Sequence, residues 1–254
     1  MDEGQGNGHA ERMQRIAALL LPNEKSPADW GEISHLDGKP CTKKIANKFL
    51  ICCLLDWQMK SDLAWRNGIR LVEEILGDPD DVWKAITSVS ESDWASRRDE
   101  YKLHRFPAGH TRLWSIAWHI GDNYDGDARR IWAGKEPADV FRRLSVLGAG
   151  EQLSRMIVGA LRDCGQLEGT ASDVKADVHV CRVLGRVVCG EPVKPEMADQ
   201  LTRELHLADP WRLDWPLWEI GRAFCHSRKP DCSRCSLISE CSYALKASAQ
   251  SSAV

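Results

Sequence analysis

The chain has 254 residues, enough for one large domain or two small ones, either with a real core. Hydrophobic residues make up 43% and charged residues 28%, a balance that excludes disordered, collagen-like and membrane-embedded classes. With 34 basic and 37 acidic residues the formal charge is -3, which weighs against nucleic-acid binding unless a local basic face supplies the phosphate contacts.

No stretch approaches the roughly 18–20 apolar residues of a membrane span. The start, MDEGQGNGHAER, has no basic segment followed by an apolar run, so no secretory signal is expected. A cytoplasmic location follows, nucleoid-associated in a bacterial cell with a nuclear one left open, where thiols stay reduced. Residues 1–8 read as a flexible leader. From His9, HAERMQRIAALLL carries a helical pattern that Pro22 and the NEKSP stretch end.

A second helix starts near Thr42, and KKIANKFLICCLLDWQ reads as largely buried. Helical patterns continue through WRNGIRLVEEIL, DDVWKAI, RLWSIAWHI, ARRIWAG and PADVFRRLSVL, with Gly and Pro between them. Beyond Gly150 come SRMIVGALRD, DVHVCRVLGRVV, EMADQLTREL and PLWEIGRAF, and the residues from about 245 read as a disordered tail. No alternating strand run of useful length occurs, so the fold class is all-α. The 11 tryptophans read mainly as core and interhelix packing.

Ten cysteines need a reason in a reducing compartment. Cys41, Cys52, Cys53, Cys164, Cys181 and Cys189 are scattered and read as small buried hydrophobes. Cys225, Cys232, Cys235 and Cys241 fall within 17 residues as C-x6-C-x2-C-x5-C. Zinc sites usually use two short-spaced pairs, and only Cys232 and Cys235 form one. A 4Fe–4S cluster takes one thiolate per iron and tolerates unequal loops. Metal ligation is the expectation, with iron–sulfur ahead of zinc.

Three further segments carry chemistry. Leu147-Gly148-Ala149-Gly150 lies between two helical patterns, and its glycines permit a tight turn with exposed amides, an anion site at a helix start. An ordinary helix C-cap explains the same residues almost as well. Asp177 precedes the apolar run Val178-His179-Val180-Cys181, where it serves as an N-cap, a catalytic carboxylate, or both. Gln58 lies in LLDWQMKSD, where a solvent-facing helix position is the plainer reading.

The cysteine spacing, with Gly-Arg before Cys225 and Arg-Lys-Pro before Cys232, resembles the endonuclease III and adenine-glycosylase family of helix-hairpin-helix DNA glycosylases. LGAGEQ resembles that family's L-P-G-V-G-x-K hairpin, without its proline and with Gln152 at the position where bifunctional members carry a catalytic lysine. ADVHVCRV resembles V-D-T-H-I-x-R-V and places Asp177 at the catalytic aspartate. LLDWQMKSD resembles L-L-S-x-Q-A-T-D and places Gln58 at the residue that fills the hole left by a flipped base. A second wedge falls in the Leu103–Gly109 region, with no residue assigned. The stretch CGQLEGTASDVK makes a longer connection before Asp177.

The resemblance implies two helical domains with a DNA-binding cleft between them: residues 40–170 with the hairpin, and 1–39 plus 171–254 with a C-terminal 4Fe–4S cluster loop. It implies base excision from double-stranded DNA by a monomer, with Gly148, Gly150, Arg228 and Lys229 on phosphates, Arg222 and Arg234 nearby, and water attack assisted by Asp177. A bifunctional glycosylase/lyase, with Lys175 as the nearby amine, and a non-catalytic iron–sulfur DNA-binding module are the alternatives.

Overall fold

A computed structural model describes residues 3–23, 41–169 and 173–251, with side chains from Gly8 to Ala247 among them. Among the described residues all regular structure is helical, as the absence of period-two patterning requires. No helix among them is long and apolar enough to cross a membrane. The chain divides into two compact units, Met1–Ser26 with Thr170–Val254, and Pro27–Gly169. The sequence-based boundaries at 39/40 and 170/171 lie outside the described residues.

The discontinuous unit begins with α1 (Glu3–Leu20). The Pro27–Gly169 unit follows with α2 (Lys43–Leu55), α3 (Ser61–Arg70), α4 (Val82–Ile86), α5 (Glu91–Ser96), α6 (Arg98–Tyr101), α7 (Pro107–Tyr124), α8 (Arg129–Trp132), α9 (Pro137–Val146) and α10 (Glu151–Asp163). The chain then returns with α11 (Val178–Val188), α12 (Pro195–Leu205), α13 (Asp214–Ala223) and α14 (Ser242–Ser251).

In the Pro27–Gly169 unit α2 is the central element. Its residues from Phe49 to Leu55 are all buried, as an all-round apolar helix must be. Thr42 caps its start, accepting from the Ile45 N–H at 3.3 Å. Buried Asn47 is satisfied on both sides, donating to Gly126 O at 2.8 Å and accepting from Ala128 N at 2.9 Å. Trp83, Trp94 and Trp132 are buried in the same unit. The helix stops at Leu55, short of the Gln58 to which its pattern extends, because Asp56 takes the C-cap position.

The discontinuous unit closes α1 over α11, α12 and α14. Met13, Ile16, Ala17 and Leu20 join Val180, Leu184, Leu201 and Leu205 in one core. Arg12 fastens the helix further, donating to Val187 O and Glu240 O at 2.6 Å and to Ser242 Oγ at 2.7 Å. Two differences from the sequence reading follow from this packing. Helix α1 starts at Glu3, where composition suggests a leader through residue 8. The stretch from 245 to 251, read as a tail, is the continuation of α14, whose first turn is anchored by buried Ala244.

Candidate functional site

Helices α9 and α10 form a helix-hairpin-helix. Gly148 (φ 87°) and Gly150 (φ 79°) both hold positive φ, and Gly150 at ψ 160° occupies a region essentially closed to other residues. A Cβ at either glycine would meet nothing within 4 Å, so conformation demands them and the space outside the turn is open. The Gly148 N–H closes on Ser145 O and the Ala149 N–H on Leu144 O, ending α9. No side chain caps α10, and its first amides start beside the exposed turn, the arrangement that binds anions. Gln152, in that first turn, is half-buried, and its Oε1 is buried without a hydrogen-bond partner among the described residues.

Asp177 caps α11. Its Oδ1 accepts from His179 N at 2.7 Å and Val180 N at 3.0 Å, so both readings of this residue hold together: one oxygen orients the carboxylate, and Oδ2 has no hydrogen bond among the described residues. Asp177 is half-buried, and Val178 beside it is 72% exposed. Lys175 donates its backbone N–H to Asp214 at 2.6 Å.

The four clustered cysteines line one cavity, with about 360 Å³ of space including its open mouth, between α11, α13, the 225–241 loop and α14. All ten cysteines are free thiols. Burial pushes the Cys232 and Cys235 thiols up, and the charge of other cysteines of the set adds to it. Among the described residues no three Cys, His, Asp or Glu side chains converge as a single metal ion requires. Of the six scattered cysteines five are buried, and Cys189 is exposed.

Sequence reasoning overlooked Arg186. It is 6% exposed and lines the same cavity. Nη1 donates to Cys225 Sγ at 3.4 Å and His226 O at 2.7 Å, and Nη2 to Ser227 O at 2.8 Å. Its Nε is buried without a hydrogen-bond partner among the described residues. A cation inside the apolar pattern of α11, four residues after Arg182, is the signal that marks it. Asp231 N–H closes the 225–231 loop on Phe224 O, so the loop is pinned from inside while its tip faces out. At that tip Arg228 and Lys229 are exposed and make no ion pair or hydrogen bond among the described residues. Arg222 is exposed too, and Arg234 pairs with Asp231 at 3.6 Å.

Gln58 sits in the turn between α2 and α3, off the helix, with φ 50°, and is exposed. A strained backbone at an exposed polar residue is held there by its surroundings. Buried His104 ties this turn to the one before α7, joining Trp57 O at 2.7 Å through Nε2 and accepting the Phe106 N–H at 3.0 Å through Nδ1. A Cβ at Gly109 would overlap the His104 ring. Trp57 stacks on His104 at 5.6 Å and meets Phe106 at 5.8 Å. Arg112 lies 5.0 Å from the Trp57 ring centre, donates to Leu54 O, and is pulled down to about 10 by burial. Exposed Phe106, under Arg105 at 4.6 Å, is the large apolar residue of the region where no wedge was assignable from sequence.

No family model matches the chain in sequence, and no curated protein matches it. Solved structures do. One is a thermostable thymine-DNA glycosylase, at TM-score 0.57 and 14% identity over 93% of this chain and 98% of that one. Another is endonuclease III in a non-covalent complex with DNA, at TM-score 0.59 and 14% identity over 98% of this chain and 99% of that one. The chain therefore has the all-α helix-hairpin-helix fold of these proteins.

Proposed function

We propose that the protein is a monofunctional DNA N-glycosylase acting as a monomer on double-stranded DNA. The observation that carries the reading is the division of labour at Asp177, where Oδ1 is fixed by two backbone amides and Oδ2 is left for the reaction. Cleavage of an N-glycosidic bond builds positive charge on the deoxyribose, which a pre-oriented carboxylate stabilises while it takes a proton from the attacking water. Gln152 supplies no amine for a Schiff base, so water attack leaves an abasic site. The shared fold with two proteins whose names say that they are a DNA glycosylase and a DNA-bound endonuclease supports this assignment.

Strand contact is assigned to the amides at Gly148 and Gly150 and to Arg228 and Lys229. Gln58, with Phe106 on the adjoining turn, is assigned to the gap left by the flipped base. Cys225, Cys232, Cys235 and Cys241 would hold a 4Fe–4S cluster, because a cavity walled by four free thiols with a buried guanidinium against one of them suits an anionic thiolate cluster. Bound there, the cluster supplies a rigid covalent anchor for the basic loop and no step of the hydrolysis. The test is release of free base from a panel of duplexes with single damaged, mismatched or modified bases. Binding without release from every duplex contradicts the reading.

A further inference from the structure

Helices α11 and α13 meet where the Asp177-capped helix begins. A Cβ at Gly221 would stand 2.7 Å from the His179 Cβ, so glycine is what lets the helices approach this far. The approach sets the His179 ring edge-on to Trp218, with centroids 6.4 Å apart. Trp218 stacks on Trp215 at 4.9 Å, and the Arg222 guanidinium lies 4.6 Å from the Trp218 centroid. Residues 215, 218 and 222 share one face of α13. The backbone N–H of His179 is bonded to Asp177 Oδ1, so the residue whose ring meets Trp218 is also one of the two that hold the carboxylate.

Two contacts fix its chemistry. Arg182 Nη2 donates to His179 Nδ1 at 2.9 Å. A guanidinium only donates, so Nδ1 is the acceptor and the ring proton belongs on Nε2. His179 thus offers an N–H donor of fixed identity. The other contact concerns the indole face of Trp218, a natural seat for a cation, which Arg222 already covers. A cationic base such as N7-methylguanine meets two guanidinium groups here and an occupied ring. A neutral base, departing with the bonding electron pair, meets a donor and positive charge.

We infer that His179, Trp218 and Arg222 select neutral bases that leave as anions, with the His179 Nε2–H hydrogen-bonding the departing base. This rests on the glycosylase reading above. The C1′–N bond breaks and its electron pair stays on the base nitrogen. The water oxygen bonds to C1′, its proton passes to Asp177, and the base anion is later protonated by solvent. His179 stabilises the charge that develops on the leaving group, as Asp177 does for the sugar.

Single-turnover release of thymine, uracil, 5-fluorouracil and N7-methylguanine from otherwise identical duplexes tests this. Relative to spontaneous loss, the wild type is expected to accelerate the three pyrimidines more than N7-methylguanine. His179→Phe keeps a ring and loses the donor. It should slow thymine by roughly 100-fold, the usual loss for one such donor, and 5-fluorouracil far less, steepening the dependence on base acidity. His179→Gln, which restores an N–H of similar reach, should recover the shallow dependence. Equal slowing of all bases in His179→Phe, or greater acceleration of N7-methylguanine by the wild type, overturns the inference and leaves the glycosylase reading standing. A wild type that releases none of these four bases but releases another from the wider panel overturns the inference alone, and binding without release from every duplex of that panel overturns both.

Discussion

Arg186 Nη1 lies 3.4 Å from Cys225 Sγ while its guanidinium stacks 4.7 Å from the Tyr243 ring centre. One buried side chain from α11 therefore reaches the first clustered cysteine, the two carbonyls that follow it and the helix after the last. Arg186→Leu is expected to leave the carbonyls of His226 and Ser227 without their donor, at a cost on the order of 2–3 kcal/mol. Thermal unfolding should fall by roughly 5–10 °C, and limited proteolysis should open the chain between His226 and Pro230. An unchanged melt and cleavage pattern would remove Arg186 from the support of the loop.

The hairpin turn depends on Gly150. Its backbone lies where a Cβ is strained by about 1–3 kcal/mol, although nothing stands within 4 Å to clash with one. Gly150→Ala should therefore disturb the turn and its amides with little effect on the buried core. The expected result is weaker duplex binding with the melt lowered by only a few degrees. Normal binding in a variant that carries the strain would exclude the turn from the interface.

The basic tip of the loop gives a salt-dependent prediction. Arg228→Ala with Lys229→Ala removes two exposed cations, so the slope of log affinity against log salt should become shallower by about 1.8 for duplex DNA. An unaltered slope would assign the phosphate contacts elsewhere.

His110 sets an acid limit on the Pro27–Gly169 unit. It is fully buried, stacked on Trp94 at 4.9 Å and joined through Nε2 to Trp94 O at 2.8 Å, with Tyr101 edge-on. Burial holds it below its ordinary 6.5; the Trp94 carbonyl opposes this and the charge of Arg98 reinforces it. The unfolded chain therefore binds a proton near pH 6.5 that the folded chain refuses until lower pH, so stability falls as pH drops from 6.5 toward the folded value. Each kcal/mol lost should lower the melt by roughly 2–4 °C. His110→Gln should flatten that stretch of the pH profile, and an identical profile in the variant would contradict the assignment.

The local signals in the sequence translate well into structure. Thr42 caps α2, Gly148 and Gly150 form the turn, Asp177 caps α11, and the four clustered cysteines share a cavity, because each depends on neighbours within one turn or loop. The features that escaped depend on distant partners. The Gln58 turn is held by His104, 46 positions away in the chain, and the pattern of α2 gives no hint that Asp56 ends it. Helix α14 looks like a polar tail because its support comes from Arg12 and the α1 core at the other end of the chain. Arg186 was hidden for the same reason, since a charged residue in an apolar helix declares a partner without naming it.

The central claim is that Asp177 performs the hydrolysis, and the most direct test is single-turnover base release by Asp177→Asn. The substitution keeps an oxygen to cap α11 and removes the negative charge. The expected result is loss of base release by at least about 100-fold, with duplex affinity and thermal melt close to wild type. Full release by Asp177→Asn would contradict the account.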